Sequence, residues 1–438
     1  MAGGTFVTQN KVRPGVYINM NSAPQALGTA GDRGIVSLAL PLSWGQEKQI
    51  LTFQAGQDFK TLLGYDLTSP QLVLVREALK RAQTLLLYRL NVGVKATATH
   101  STLTLTARHS GVRGNNLSVV IQPSLDQTDK FEVITLLEGA EVDRQIGAKA
   151  ADLQANAWVS FGGEGELEAS AGVPLAGGTD GTVTNADHTD YLAALELQRF
   201  NTVALVSGDS TLKSVYAAFV RRLRETEGQK VQAVLENYPN ADYEGVISVK
   251  NGVVLSDGQT LTAAQATAWV AGATAGAALN ESLTYRAYDG AIDTSVRYTH
   301  SQIEAALLNG EFVFTASNGQ AVVEQDINSL TSFSPEKAKP FGKNRVIRVL
   351  DGIANDLKRI FEQFYIGSVN NNDDGRSLLR NECITYLESL QGAAAIQNFN
   401  SQTDFSIRQG SSADSVYMEL NIQPVDSVEK IYLKVTVV

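Results

Sequence analysis

One cysteine, Cys383, stands in 438 residues, so the chain has no internal disulfide and no multi-cysteine metal site. It falls in a stretch of helical apolar spacing, where a buried structural thiol is expected. Histidine is almost as scarce. His100, His109, His188 and His300 stand singly in expected turns, strand edges or helix starts, without a partner at metal-ligand spacing, and each is expected in a surface or capping role rather than in catalysis. No Gly-x-Ser-x-Gly, Walker A loop or Gly-x-Gly-x-x-Gly after a strand occurs, so hydrolase and nucleotide-binding readings lose their usual support and no cofactor is expected. The longest apolar runs, 35–42 and 84–90, fall far below the roughly 20 residues that cross a bilayer. Met1-Ala2-Gly3-Gly4-Thr5 shows neither the basic nor the apolar region of a secretory signal, which predicts synthesis in the cytosol and no membrane partner.

Positive charge is also short. The net charge of −10 argues against nucleic acid as a partner, because such binding neutralises phosphates. From residue 337 onward there are 12 Lys plus Arg and 12 Asp plus Glu, so the whole acidic excess lies upstream. Within that neutral part Lys337, Lys339, Lys343, Arg345 and Arg348 precede the next acid, Asp351. The cluster is either a face for an acidic partner or a solvated boundary between domains. Asn370-Asn371-Asn372-Asp373-Asp374-Gly375 has oxygen side chains at calcium-loop spacing, but its twelfth place is Asn381 where a bidentate Glu belongs. A polar turn between helices is expected, and no metal. Trp44, Trp158 and Trp269 are scattered as core residues are, not arranged as a stacking platform for bases.

What is present is an ordinary globular composition, 43% hydrophobic and 19% charged, with 37 glycines and room for several domains. Residues 1–30 have no helical period and hold one extended piece, Val16-Tyr17-Ile18, behind a rigid Arg13-Pro14-Gly15 corner. This is an N-terminal arm. An α/β segment follows over 31–92: a buried strand ended by Pro41, a helix over 71–82 with Ser69 as cap and Pro70 at its first position, and a strand over 84–90. Short alternating stretches at 101–107, 117–122 and 131–137 predict an inserted β-sandwich over 93–176, with the Gly-rich acidic run 161–172 marking its exit. Over 177–334, strands at 202–207, 231–236 and 245–249 alternate with helices at 187–197, 211–227, 262–279 and 301–309, which is parallel βαβ logic. A hairpin turns at Asn318-Gly319. The segment 335–423 opens with the strongest helical pattern in the chain, Val346, Val349, Leu350, Ile353, Leu357, Ile360, Phe361 and Phe364, stopped at Gly367. A second helix is expected over 376–390.

Two alternating stretches close the sequence. Val416, Met418, Leu420 and Ile422 share one strand face before Gln423-Pro424, and Ile431, Leu433, Val435 and Val437 share another opposite Tyr432, Lys434 and Thr436. A β-branched strand in this position needs a neighbour. On the residues alone, closure of its own sheet and donation to another subunit are equal alternatives.

Several stretches together resemble the contractile tail sheath proteins of phages, of the type found in Gram-positive phages and phage-derived R-type bacteriocins. They are Arg13-Pro14-Gly15-Val16-Tyr17-Ile18, Gly34-Ile35-Val36 through Trp44-Gly45, the run 177–181, Arg348-Val349-Leu350-Asp351, Tyr365-Ile366-Gly367 and Pro424-Val425-Asp426-Ser427-Val428-Glu429-Lys430-Ile431-Tyr432. The resemblance implies a mixed α+β multidomain chain with extended N- and C-terminal arms, and a subtilisin-like α/β domain at 177–334 without a catalytic triad. It implies a non-enzymatic subunit that stacks in hexameric rings around an inner tube, with baseplate and tail terminator proteins as further partners. It implies assembly in the bacterial host cytoplasm and residence in the tail of a virion or tail-like particle. By position, Val16, Tyr17, Ile18 and Ile431, Tyr432, Leu433, Val435, Val437 would be the linker strands that join subunits, with 424–438 as the C-terminal arm. The resemblance tips the choice towards donation. Lys337, Lys339, Lys343, Arg345 and Arg348 are the candidates for tube contact, since the family places this part inward. The competing expectations are an α/β hydrolase using 187–236, for which no spacing supplies a nucleophile and base, and a secreted β-rich adhesin.

Overall fold

A computed structural model of the chain describes residues 2–4, 15–17 and 33–437, with side chains from 33 onward. They belong to two compact units, one built from Asp32–Asn355 with Pro424–Val438, the other containing Asp356–Gln423.

The first unit is organised on a seven-stranded sheet, in the order Glu311–Phe312, Val246–Val249, Gln232–Glu236, Thr202–Ala204, Ile35–Leu40, Thr84–Arg89 and Ile50–Gln54. All neighbours are parallel except the edge strand Ile50–Gln54. Ile35–Leu40 lies between Thr202–Ala204 and Thr84–Arg89, so segments 31–92 and 177–334 share one sheet instead of forming two. Their strands are continuously apolar because both faces are covered. On one face Val36, Leu38, Leu85 and Leu87 pack with Val75, Ala78 and Trp269 from the helices Val73–Leu79 and Ala263–Gly276. Gly272 is needed there, since a Cβ would stand 2.2 Å from the carbonyl oxygen of Ala78. Trp269 stacks on Tyr288 and donates from Nε1 to Asp289 Oδ2 at 2.9 Å. On the other face Leu86 and Val203 pack with Tyr191, Leu195, Tyr216 and Val220 from Asn185–Glu196 and Ser210–Glu225.

Several elements depart from the sequence reading. Ser69 supplies no side-chain cap, and the helix expected over 71–82 is a 3₁₀ turn, Pro70–Leu72, followed by Val73–Leu79. A three-stranded sheet of Val253–Leu255, Thr260–Leu261 and Ala291–Thr294 had no sequence signal, because its strands are two to four residues long. The hairpin Phe314–Ser317 with Gln320–Val323 is as expected, and Asn318 and Gly319 take the positive φ, 50° and 74°, that its two-residue turn requires. His188 is not at a surface. It is buried, with Nδ1 2.9 Å from the Tyr216 hydroxyl, and burial lowers its pKa.

The β-sandwich is inserted between Thr84–Arg89 and Asn185–Glu196. Its larger sheet runs Ala140–Gly147, Phe131–Leu137, Leu117–Pro123, Ser170–Pro174, and its smaller one Val159–Gly162, Leu103–Ala107, Thr97–His100. The run 161–172, expected to mark the exit, therefore contributes to two strands. Pairing partners 49 to 58 residues earlier hold them in place despite their glycines. Trp44, from the loop after Ile35–Leu40, enters this core and stacks on Trp158 with ring centres 5.3 Å apart.

His109 sets its edge against Trp44 and is half-buried, another departure from a surface role. Burial, then the nearby Arg89, Lys95 and Arg108, lowers its pKa to about 4. A histidine depressed below its unfolded value of about 6.5 stabilises the fold above that pH, and the contribution is lost as pH falls towards the folded value. Thermal stability should therefore drop between about pH 6.5 and 4, by at most one proton's worth per chain. The His109→Phe variant should show a flatter profile by scanning calorimetry; parallel profiles would refute the assignment.

In the second unit, helix Asp373–Gly392 begins three residues before the expected start, because Asn372 caps it by accepting from Gly375 N at 2.9 Å. The asparagine run is thus a helix cap. Cys383 is buried on the inner face, which pushes its thiol up to about 12. Tyr386 donates to Asp356 Oδ2 at 2.8 Å. Phe405–Gln409 and Val416–Leu420 form an antiparallel two-stranded hairpin, so the first of the two alternating stretches finds its neighbour within the chain. The long helix Asn344–Ile360 passes into a π-helical turn, Phe361–Tyr365, before Gly367 at φ 75°.

Candidate assembly surface

Residues 425–437 form no strand, and from Lys430 onward every one is exposed. Ile431, Tyr432, Leu433, Val435 and Val437 are 84%, 91%, 83%, 75% and 93% exposed. A monomer seldom presents so many consecutive large apolar side chains, which normally mark a contact surface. Their alternation suits a pleated strand, and the segment has no strand partner among the described residues. At the other end, Val16 and Tyr17 lie in a short strand, Gly15–Tyr17, which runs parallel to Ala2–Gly4 of the same chain. Ile18 lies outside the described residues.

The arm is held at Glu429. Its carboxylate accepts from Thr284 Oγ1 at 2.9 Å and Gln325 Nε2 at 2.7 Å, and is paired with the Lys343 ammonium. Burial would raise its pKa, but Lys343, Gln325 and Thr284 together hold it below the ordinary carboxylate value. Beside Gln325, buried Asp326 accepts from Leu283 N at 3.0 Å and from Asn344 Nδ2 at 2.9 Å. Its own backbone N–H donates to Thr284 Oγ1 at 3.0 Å.

The five cations that look free in the sequence have different fates. Lys343 belongs to the Glu429 site. Arg348 is 1% exposed, donating to the Glu281 carbonyl at 2.5 Å and lying 3.5 Å from Asp326 Oδ2. Lys337 donates to Glu244 Oε1 at 2.7 Å and lies over the Tyr243 ring. Arg345 is half-buried, with an Nε that has no hydrogen-bond partner, and Lys339 is exposed. The partners, at 244, 281, 326 and 429, are too distant in sequence for local charge counting to find them. The same distance hid Glu429, Thr284 and Gln325. The acid just before the alternating apolar stretch was the available signal.

Models of phage tail sheath proteins match the chain in four consecutive segments. These are the Gp18 domain III N-terminal region at 33–90, the β-sandwich domain at 91–180, the central domain at 181–329 and the C-terminal domain at 336–438. The phage-like element PBSX protein XkdK of Bacillus subtilis (strain 168) is 40% identical over 466 residues, covering 100% of both chains. The crystal structure of the sheath tail protein from Desulfitobacterium hafniense is 58% identical with a TM-score of 0.87, covering 96% of this chain and 99% of that one. The chain belongs to the phage tail sheath family.

The fold of this sheath chain is shared more widely. The helical sheath of the anti-feeding prophage in its contracted state has a TM-score of 0.58 at 14% identity, covering 97% of this chain and 99% of that one. The β-sandwich match coincides with the inserted two-sheet segment, and the C-terminal match takes in both the hairpin and the exposed arm. The family is one of structural proteins, so the features that matter in this sheath chain are joints and faces.

Proposed function

We propose that this chain is the repeating subunit of a contractile sheath, stacked as hexameric rings around an inner tube and shortening to drive that tube through a bacterial envelope. The observation that carries the reading is the exposed, alternating and unpaired segment 431–437. The hairpin of Phe405–Gln409 and Val416–Leu420 has two strands and therefore two edges that could accept another strand. A strand donated from one copy to the hairpin of another joins subunits by backbone hydrogen bonds, which survive relative rotation of the bodies they connect. The energy for shortening then resides in a metastable lattice, not in a nucleotide. Assembly in the host cytoplasm, residence in the tail of a virion or tail-like particle, and contacts with baseplate and terminator proteins follow from this role. One solved neighbour comes from the anti-feeding prophage baseplate.

Electron microscopy of the purified chain tests the reading. Hollow helical tubes are expected, and persistent monomers at high concentration would overturn it. For the inner tube we propose an acidic surface facing Lys339 and Arg345, since Lys337, Lys343 and Arg348 are engaged internally. Charge reversal by Lys339→Glu with Arg345→Glu should reduce co-sedimentation with inner tube several-fold while tube-free polymers still form; unchanged co-sedimentation would place the contact elsewhere.

A further inference from the structure

The side chain of Glu429 is 9% exposed, yet Val428 and Lys430 on either side of it are open to solvent. Three donors from three separate places in the chain converge on its carboxylate: Thr284, Gln325 and Lys343. Part of this arrangement is held by bonds that do not involve the arm. Thr284 and Asn344 are both bonded to the residue 326 backbone or side chain, and Lys343 immediately precedes the helix Asn344–Ile360. The result is a socket for one carboxylate, followed at once by the exposed apolar segment 431–437.

We propose that this socket is the anchor that sets where the donated strand begins and which acceptor it can reach. The inference rests on the strand-donation reading and adds positioning residues to it. With Glu429 seated, the free arm begins at Lys430. With Glu429 released, the free length begins near 425 and the reach grows by the five residues 425–429, about 17 Å at roughly 3.3 Å per residue. The difference, about 17 Å, exceeds three inter-strand spacings of about 4.8 Å, so a released arm can reach strand edges that an anchored one cannot. A short tether also raises the effective concentration of the strand at a nearby acceptor and lowers it at a distant one. The anchor thereby makes one connection pattern dominant, which a regular helical lattice requires.

The test uses the full chain carrying Glu429→Ala, with amide exchange over 424–430 and helical order of the polymers by electron microscopy as readouts. Exchange over 424–430 is expected to accelerate at least tenfold, and polymers are expected to form without a single helical symmetry. Lys343→Met, which leaves the two neutral donors in place, should produce the same loss in milder form and guards against a folding defect in the first variant. Polymers of unchanged symmetry despite faster exchange would overturn the proposal, as would unchanged exchange. A chain ended after Lys430 separates this from the underlying reading. It keeps the socket filled, so assembly of that chain would refute donation while its exchange over 424–430 still reports on the anchor.

Discussion

Ending the chain after Lys430 should leave a folded protein that no longer polymerises. The described residues among those removed, 431–437, form no strand and are largely exposed, so their loss costs the monomer little. In a lattice the same residues would carry a large share of the joint. Ile431, Leu433, Val435 and Val437 lie on one face, and full burial of an aliphatic side chain is worth about 1.5–3 kcal/mol. Four of them give on the order of 6–12 kcal/mol per arm before the cost of ordering the strand and bringing subunits together. Removing a term of that size should abolish tubes at concentrations where the parent chain is fully assembled. Sedimentation velocity and negative-stain microscopy would show it. Tubes of normal length from the shortened chain would rule out donation as the principal joint, whereas a chain that loses its thermal transition would mean the arm is part of the fold.

Replacing Asp351 with alanine should destabilise the first unit by about 3–5 kcal/mol, because it leaves a buried guanidinium without its counter-charge. Arg224 donates to Asp351 through both terminal nitrogens, at 2.6 and 2.8 Å, and also to the Val231 carbonyl at 2.9 Å. Burial opposes the charged guanidinium, but Asp351 outweighs it and raises the Arg224 pKa. The pair ties the last turn of Ser210–Glu225 to the middle of Asn344–Ile360, with 127 residues of sequence between the two partners. Chemical denaturation of the single variant should show a lower midpoint with little change in slope. The double variant Arg224→Met with Asp351→Leu should recover most of the loss, since an apolar pair of similar volume removes both charges together. A single variant as stable as the parent would mean that water reaches the pair and that burial is not what makes it costly to break.

These two cases mark the limit of what local sequence can convey. Asp351 stood out in the sequence within Arg348-Val349-Leu350-Asp351, but nothing local named Arg224 as its partner, 127 residues away. The same applies to the basic cluster. Lys337, Lys343 and Arg348 look alike as a run of positive charge, and the fold assigns them to Glu244, Glu429 and Asp326 in turn. His188 and His109 look isolated because their environments, Tyr216 and Trp44, arrive from other elements.

Periodicity and turn chemistry in the sequence by themselves determined the helices Asn185–Glu196, Ser210–Glu225 and Ala263–Gly276, the buried parallel strands and the Asn318-Gly319 hairpin. These are local properties: a 3.6-residue or 2-residue repeat and a residue that tolerates positive φ are written in consecutive positions. The alternation of 431–437 was equally legible, though not its lack of a partner. Tertiary structure alone decided that segments 31–92 and 177–334 complete one sheet, that 161–172 belongs to the sandwich and that Glu429 is seated in a socket. Each of those facts is a pairing across 49 or more residues. Its free energy comes from burial and hydrogen bonds that exist only after the chain has closed the loop between the partners.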